Sequence, residues 1–191
     1  MIIGLGGTNG AGKDTVAEIL VEKYGYLFVG ATELLVGELQ ARSWPLDRVH
    51  KAKLSAEWRR QMGMAAIVDK ALAVYESQPR GKYKGLVVSS LRHPGEADRV
   101  HSLGGKVFWI DAEPEVRYQR IQSANRGRGV EDDKSFEAFL ADEQREMTPE
   151  GDGATLNMAA VKERADSTIW NNSSDKQQLE SELARFVKTA E

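Results

Sequence analysis

Five short apolar runs, rich in β-branched residues, punctuate the chain at residues 2–5, 26–29, 86–89, 107–110 and 167–170. Runs of this length, bounded by glycine and polar residues, predict buried strands. Helical spacing fills the intervals. Val16, Ile19, Leu20 and Lys23 recur on one face, and Trp58, Met62, Ala65, Ala66, Asp69 and Leu72 predict one long helix from about Ser55. Pro94 and Pro114 each stand where a helix would open, a position at which the missing N–H is no loss. In the tail, Ser174 and Gln177 have capping-box spacing ahead of Leu179, Leu183, Phe186 and Val187 on one face. Strand–helix alternation over all 191 residues predicts a single α/β domain, a parallel sheet covered on both faces. Ligands of such sheets sit at the carboxyl ends of the strands. Residues 6–12, 89–92, 111–113 and 171–174 all follow strands, so they should line one edge.

One region departs from the alternation. Residues 123–153 carry RGRG, EDDKS and EGDG around an amphipathic stretch with Phe136, Phe139 and Leu140. This reads as a helical flap between glycine hinges, or equally as a surface excursion. Composition narrows the partners. A net charge of −3 lacks the basic surplus of a nucleic-acid binder. The absence of cysteine excludes disulfides, thiolate metal sites and thiol nucleophiles, and suits a reducing compartment. No charged leader precedes an apolar core, and no apolar run nears the roughly 20 residues of a bilayer span. The expectation is a cytoplasmic enzyme with small-molecule partners, neither nucleic acid nor membrane, and either monomer or dimer.

The chemistry concentrates in GGTNGAGKDT, between the first strand and VAEILVEKYG. Glycines let backbone N–H groups curl around an anion, and the helix that follows points its positive end at the same place. Gly7, Thr8, Asn9, Gly10, Ala11, Gly12, Lys13, Asp14 and Thr15 therefore predict a phosphate loop for ATP. Lys13 would neutralise the β- and γ-phosphates, and Thr15 would offer an oxygen to Mg²⁺. The hydroxyl comes one place late, after Asp14. The Asp14 side chain is expected to cap the helix or meet a neighbouring loop, with its N–H still facing phosphate.

GAGKDT near the start of a chain this size resembles the nucleoside and nucleotide kinase branch of P-loop proteins. That branch includes adenylate-kinase-like enzymes, deoxynucleoside monophosphate kinases and dephospho-CoA kinases. RRQMGMAAIVDKAL, VVSSLRHPGEADRV, IDAEPEVRYQRIQSANRGRGVEDD and ADSTIWNNSS are similar to that branch's acceptor helix, third strand, arginine helix with lid, and last strand with base-side loop. The likeness spans most of the chain and is weakest over 31–53. It implies a P-loop three-layer sandwich, a five-stranded parallel sheet in the order 2-3-1-4-5, with an acceptor-binding segment at about 31–80 and a lid at about 123–153. It implies transfer of the γ-phosphoryl group of ATP to a small phosphorylated acceptor, first among them a nucleoside monophosphate. A dephospho-CoA-like or other small-metabolite kinase is the alternative within enzymes, and a nucleotide-binding regulatory protein the alternative outside them.

Site roles follow from the same resemblance together with position. Arg59 on the acceptor helix and Arg92 after the third strand would hold the acceptor phosphate, although Arg59 reads equally as a solvated helix face. Thr32 would touch a ribose or cap a helix. Arg117 and Arg120 share a helix face and would serve the donor base and phosphates, with Asn172, beside Asn171, on the base side. Lys13, Arg92 and Arg120 are the expected catalytic set, since guanidinium forks grip phosphate with two bonds. Arg126, Arg128 and Arg145 would close the lid, although Arg145 could equally pair with Asp142 on its own helix. Asp132 and Asp133 would cap the flap helix or meet the lid arginines. Trp44, Trp109 and Trp170 read as packing residues, with Trp58 set apart as the neighbour of Arg59. His50, His93 and His101 form no ligand set. The family commonly ends its third strand on an acidic residue that orders Mg²⁺. Here Ser89-Ser90 stands instead, leaving Asp111 as a partial substitute. A hydroxyl acceptor would need Asp14 or Asp111 as its base.

Overall fold

The five apolar runs pair into one sheet, formed by β1 (Ile2–Gly7), β2 (Tyr26–Gly30), β3 (Gly85–Ser89), β4 (Lys106–Asp111) and β5 (Ser167–Trp170). The strand order is β2-β3-β1-β4-β5, and every pairing is parallel. The structure, a computed structural model, describes residues 1–124, 134–148, 151–173 and 175–188. Arg126, Arg128, Asp132, Asp133 and Ser174 lie outside the described residues.

The alternation of MIIGLGG decides what packs on the central strand. Ile3 and Leu5 face a core closed by α1 (Lys13–Tyr24) and α9 (Lys176–Lys188), among Ile19, Leu20, Phe108, Ile169 and Leu183. The other face presents Ile2 and two glycines. A Cβ on Gly4 would come 2.6 Å from the Leu91 side chain, and one on Gly6 would come 3.0 Å from Val161. Those glycines therefore admit Leu91 and α8 (Met158–Glu163) directly onto the strand. The core on that side also takes in α2 (Ala31–Ala41), α3 (Arg48–Met62), α4 (Ala66–Glu76) and α5 (Pro94–Ser102), through Leu39, Leu54, Ile67 and Val100.

The helix expected to run on from Ser55 is two helices. Gly63, at φ 103°, ends α3 in a conformation that side chains resist, and the chain restarts as α4. α3 also begins earlier, because the Asp47 carboxylate accepts from the His50 N–H at 2.8 Å as its N-cap. Thr32 does not cap: Gly30 precedes α2 and brings no side-chain cap. α6 (Pro114–Ala124) opens at Pro114 as expected, and α5 opens at Pro94 under a His93 cap. The flap helix is α7 (Phe136–Met147), capped by Ser135. Phe136 and Phe139 close on Tyr118 of α6, while Leu140 is exposed. Asp175 accepts from the Gln177 N–H at 2.8 Å ahead of α9. Among the described residues, no helix is long and apolar enough to cross a membrane.

Leu183 is 0% exposed and anchors α9. Leu183→Ala should cost about 2–5 kcal/mol of unfolding free energy, read as a lowered urea midpoint. A loss within error would mean that α9 is not integral to the fold.

Candidate active site

Three glycines set the course of the loop between β1 and α1. Gly7 has φ 137°, and a Cβ there would run into the Ile110 carbonyl of β4. Gly10 has φ 79°, with a Cβ held to 2.6 Å from the Arg117 carbonyl, and Gly12 has φ 95°, with its Cβ position filled by the Asn171 amide. Gly12 caps α1 without a side chain, and Asp14 is exposed rather than capping. The first-turn N–H groups thus stay open at the positive helix end, as an anion requires.

The loop is braced from behind. Thr8 Oγ1 donates to Asp111 Oδ1 at 2.9 Å, and Asn171 Nδ2 donates to the Ala11 carbonyl at 2.8 Å. Asp111 also accepts from Trp109 Nε1 at 3.0 Å, the Ala112 N–H at 3.0 Å and Lys162 Nζ at 3.3 Å. Burial pushes its pKa up, but the bonds from Trp109 and Thr8 and the charge of Lys162 outweigh that, leaving a carboxyl below its ordinary value. Engaged on every side, Asp111 is an anchor for the loop. The expectation of it as metal substitute or base is corrected accordingly.

Lys13 folds back over its own loop. Its Nζ donates to the carbonyls of Gly7 at 2.9 Å and Thr8 at 2.7 Å. Desolvation, followed by the charge of Arg92, lowers its pKa from 10.5 to about 7, with Asp14 and Glu146 opposing.

Two cavities bear on the site, one lined by the loop itself and one lined by Arg92, whose charge acts on Lys13. The first is lined by Gly10, Gly12, Thr15, Arg120, Asn171 and Ser173. Arg120 Nη2 donates to the Ser173 carbonyl at 2.9 Å, while Nη1 is buried with no hydrogen-bond partner among the described residues. An orphan guanidinium nitrogen beside a phosphate loop fits an acceptor atom of a bound nucleotide. Arg117 does not share that role. Its Nε donates to the Ala112 carbonyl at 2.7 Å, Nη2 reaches Glu143 at 3.0 Å, Nη1 takes the other Glu143 oxygen, and the guanidinium lies over Phe139. It pins α7 to α6. Asn172 is likewise turned aside, accepting from the Glu113 N–H at 2.7 Å, and it is Asn171 that touches the loop.

Thr32, Arg59, Ser90 and Arg92 all line the second cavity. The three residues expected to bind the acceptor therefore converge. Their states differ. Arg59 is 2% exposed and its fork is nearly full. Nε and Nη2 reach Glu96 Oε1 at 3.2 and 2.8 Å, and Nη1 donates to Ser55 Oγ at 3.3 Å and the Ala154 carbonyl at 3.1 Å. Its expected grip on phosphate gives way to a structural one. The second oxygen of Glu96 accepts from the backbone N–H groups of Arg92 at 2.8 Å and His93 at 3.2 Å. Arg59 thus fixes, through Glu96, the turn that carries Arg92.

Arg92 itself is half-exposed, and its Nη1 donates to Glu146 Oε2 at 2.7 Å. Glu146 Oε1 accepts from Arg48 Nε at 2.7 Å and also from Arg48 Nη2. Arg48 and Glu146 are cavity residues that the sequence reading missed. They are 98 positions apart, and no short motif links them. Arg145 takes its alternative, pairing with Asp142, and is 63% exposed. Trp58 is buried in the core with Lys70 Nζ 4.2 Å from its ring centre, a packing residue. At the end of β3, the Ser89 hydroxyl is buried without a partner among the described residues, and Ser90 takes φ 68°. Among the described residues, no three acidic or histidine side chains gather as a metal site.

Helices on both faces of a sheet in this strand order, with a glycine loop leading from the central strand into a helix, constitute the P-loop kinase fold. The chain belongs to the AAA domain family AAA_18, whose profile matches residues 3–146. No curated protein matches it. Among solved structures, TT1252 from Thermus thermophilus is 22% identical with a TM-score of 0.59, covering 98% of this chain and 97% of that one. Shikimate kinase from Bacteroides thetaiotaomicron is 16% identical with a TM-score of 0.63, covering 99% and 97%. Shikimate kinase from Acinetobacter baumannii, solved with shikimate, is 17% identical with a TM-score of 0.56, covering 98% and 93%. At these identities the likeness is one of fold.

Arg59→Ala would leave Glu96 buried and unpaired, and should cost about 3–5 kcal/mol by denaturant titration. A near-neutral result would mean that the pair is dispensable. Lys13 gives a second expectation. Its folded pKa lies below the unfolded value, so charging it destabilises the unliganded chain below about pH 7, and stability from this group grows as pH rises toward 10.5. A polyphosphate would restore the proton. ADP binding at pH 8 should take up close to one proton and weaken from pH 7 to 9. Calorimetry in buffers of different ionisation enthalpy reads this, and uptake near zero would contradict the lowered pKa of Lys13.

Proposed function

We propose that the chain is an ATP-dependent phosphotransferase acting on a small phosphorylated acceptor, a nucleoside monophosphate first among candidates. The observation that carries this reading is the junction at Lys13. The lysine of the phosphate loop lies within electrostatic reach of Arg92, which lines the neighbouring arginine-rich cavity. Two anion-binding places thus adjoin, as transfer between two phosphates requires.

ATP would lie on residues 7–15, with the orphan Nη1 of Arg120 turned to account on the donor side. Mg²⁺ would rest on Thr15 and the phosphates, and the unpartnered Ser89 hydroxyl at the same sheet edge suits a metal-bound water. Arg92 would hold the acceptor anion. An acceptor phosphate oxygen would bond to the γ-phosphorus as the bond to the β–γ bridging oxygen breaks, releasing ADP. Lys13 would neutralise the oxygens in flight. A phosphate oxygen is already a nucleophile, so no base is needed. Arg126 and Arg128 remain candidates for the lid.

A hydroxyl acceptor is the second reading, and one observation favours it. Glu146 places a carboxylate in the acceptor cavity, within electrostatic reach of Lys13, where a base would stand. Burial raises its pKa, but Arg92 and Arg48 outweigh that and hold it below the ordinary carboxylate value. Such a carboxylate is a poor proton acceptor, which weighs toward the phosphate acceptor.

The test is coupled ADP release across a panel of nucleoside monophosphates and small hydroxy acids. Acceptor-dependent release with a monophosphate is expected, and Lys13→Ala should lower it by about 10²–10³-fold with the melting temperature kept. An unchanged rate would sink the mechanism. ATP binding without acceptor-dependent release would identify a regulatory nucleotide binder instead.

A further inference from the structure

We infer that the Glu146 carboxylate is a built-in stand-in for the acceptor's anionic group, and that the Arg48–Arg92 pair is an oxyanion site that a phosphate or carboxylate enters by displacing it. This inference rests on the proposed acceptor role of the second cavity. Its geometry is specific. Each Glu146 oxygen serves one guanidinium, Oε1 facing Arg48 Nε at 2.7 Å and Oε2 facing Arg92 Nη1 at 2.7 Å. The carboxylate bridges two forks as a phosphate would. The three side chains come from α3, the turn after β3, and α7, so the site joins three separate elements of the fold.

The two arginines differ from the buried struts Arg59 and Arg117. Arg59 and Arg117 are 2% and 3% exposed and bonded to carboxylates and carbonyls within the core. Arg48 and Arg92 keep side chains 33% and 31% exposed, in a cavity that also contains Lys51. The cationic side chains lining the cavity are Arg48, Lys51, Arg59 and Arg92, and its carboxylates are Glu96 and Glu146. Arg59 and Glu96 cancel within the wall. Among the described residues lining the cavity, Glu146 is the carboxylate not matched within the wall, set against Arg48, Arg92 and Lys51, so its departure would raise the local positive charge just as an incoming anion needs it. Arg48 has a further tie when Glu146 leaves, because Asp142 sits 4.0 Å from its Nη1.

The consequence is selectivity. An anionic acceptor must outcompete an internal carboxylate, so weakly held anions such as chloride are refused while a dianionic phosphate that bridges both forks succeeds. Glu146→Gln keeps the shape and removes the charge. With the phosphate loop saturated by ADP, inorganic phosphate should bind Glu146→Gln at least tenfold more tightly than wild type by calorimetry. Arg48→Met added to Glu146→Gln should abolish the gain. Glu146→Asp, one methylene too short to bridge both forks, should fall between and serves if the glutamine variant folds poorly. Equal or weaker phosphate binding in a variant that still binds ADP and melts cooperatively would overturn the inference, because Glu146 would then be organising the arginines. The readout needs no turnover. Failure of the kinase reading would show instead as absent acceptor-dependent ADP release in wild type.

Discussion

The close passage of Gly7 beside the Ile110 carbonyl is the constraint from which the rest of the ligand edge follows. β1 leaves the sheet while still pressed against β4, and only a residue without a Cβ fits there. The turn delivers Thr8 to Asp111 and Ala11 to Asn171, which fix the loop at both ends of its arc. With the arc fixed, Gly12 can open α1 without a capping side chain, leaving first-turn amides and Lys13 facing a common point. The anion site is thus made by backbone geometry and held by two side-chain bonds.

Around that point, charge is distributed by how completely each arginine is occupied. Arg59 and Arg117 have their forks filled and act as struts, one fixing the turn that bears Arg92, the other tying the flap helix to α6. Arg48 and Arg92 share one carboxylate between them. Arg120 keeps a nitrogen with no partner among the described residues. Filled forks give rigidity, and the incompletely filled ones lie at the two cavities. A chain with net charge −3 can therefore present cationic pockets, because its carboxylates are set against structural arginines.

The strands were legible because they are short apolar runs, most of them buried on both faces, with β5 and its exposed Trp170 the exception, and the loop because its glycines and lysine keep a fixed spacing between a strand and a helix. The helix break at Gly63 was missed, since apolar spacing continues across it and only the backbone angle reveals the turn. The arginines were legible as a set and not in their roles. Arg59 and Arg117 looked like phosphate ligands, but Glu96 and Glu143, 37 and 26 positions away, claim them. Arg48 and Glu146 gave no signal for the same reason: pairing between distant residues is decided by packing, which spacing along the chain does not encode.

The brace on the phosphate loop has a consequence for how the protein comes into being. The loop occupies residues 7–15, yet Thr8 waits for a partner 103 positions on and Ala11 for one 160 positions on. A ribosome-bound chain carries the whole motif early and cannot finish its shape until the last strand has emerged. The family profile ends at residue 146, before Asn171 is reached. Nucleotide is in this sense a ligand of the closed sheet, since the loop is held by residues at the end of β4 and just after β5.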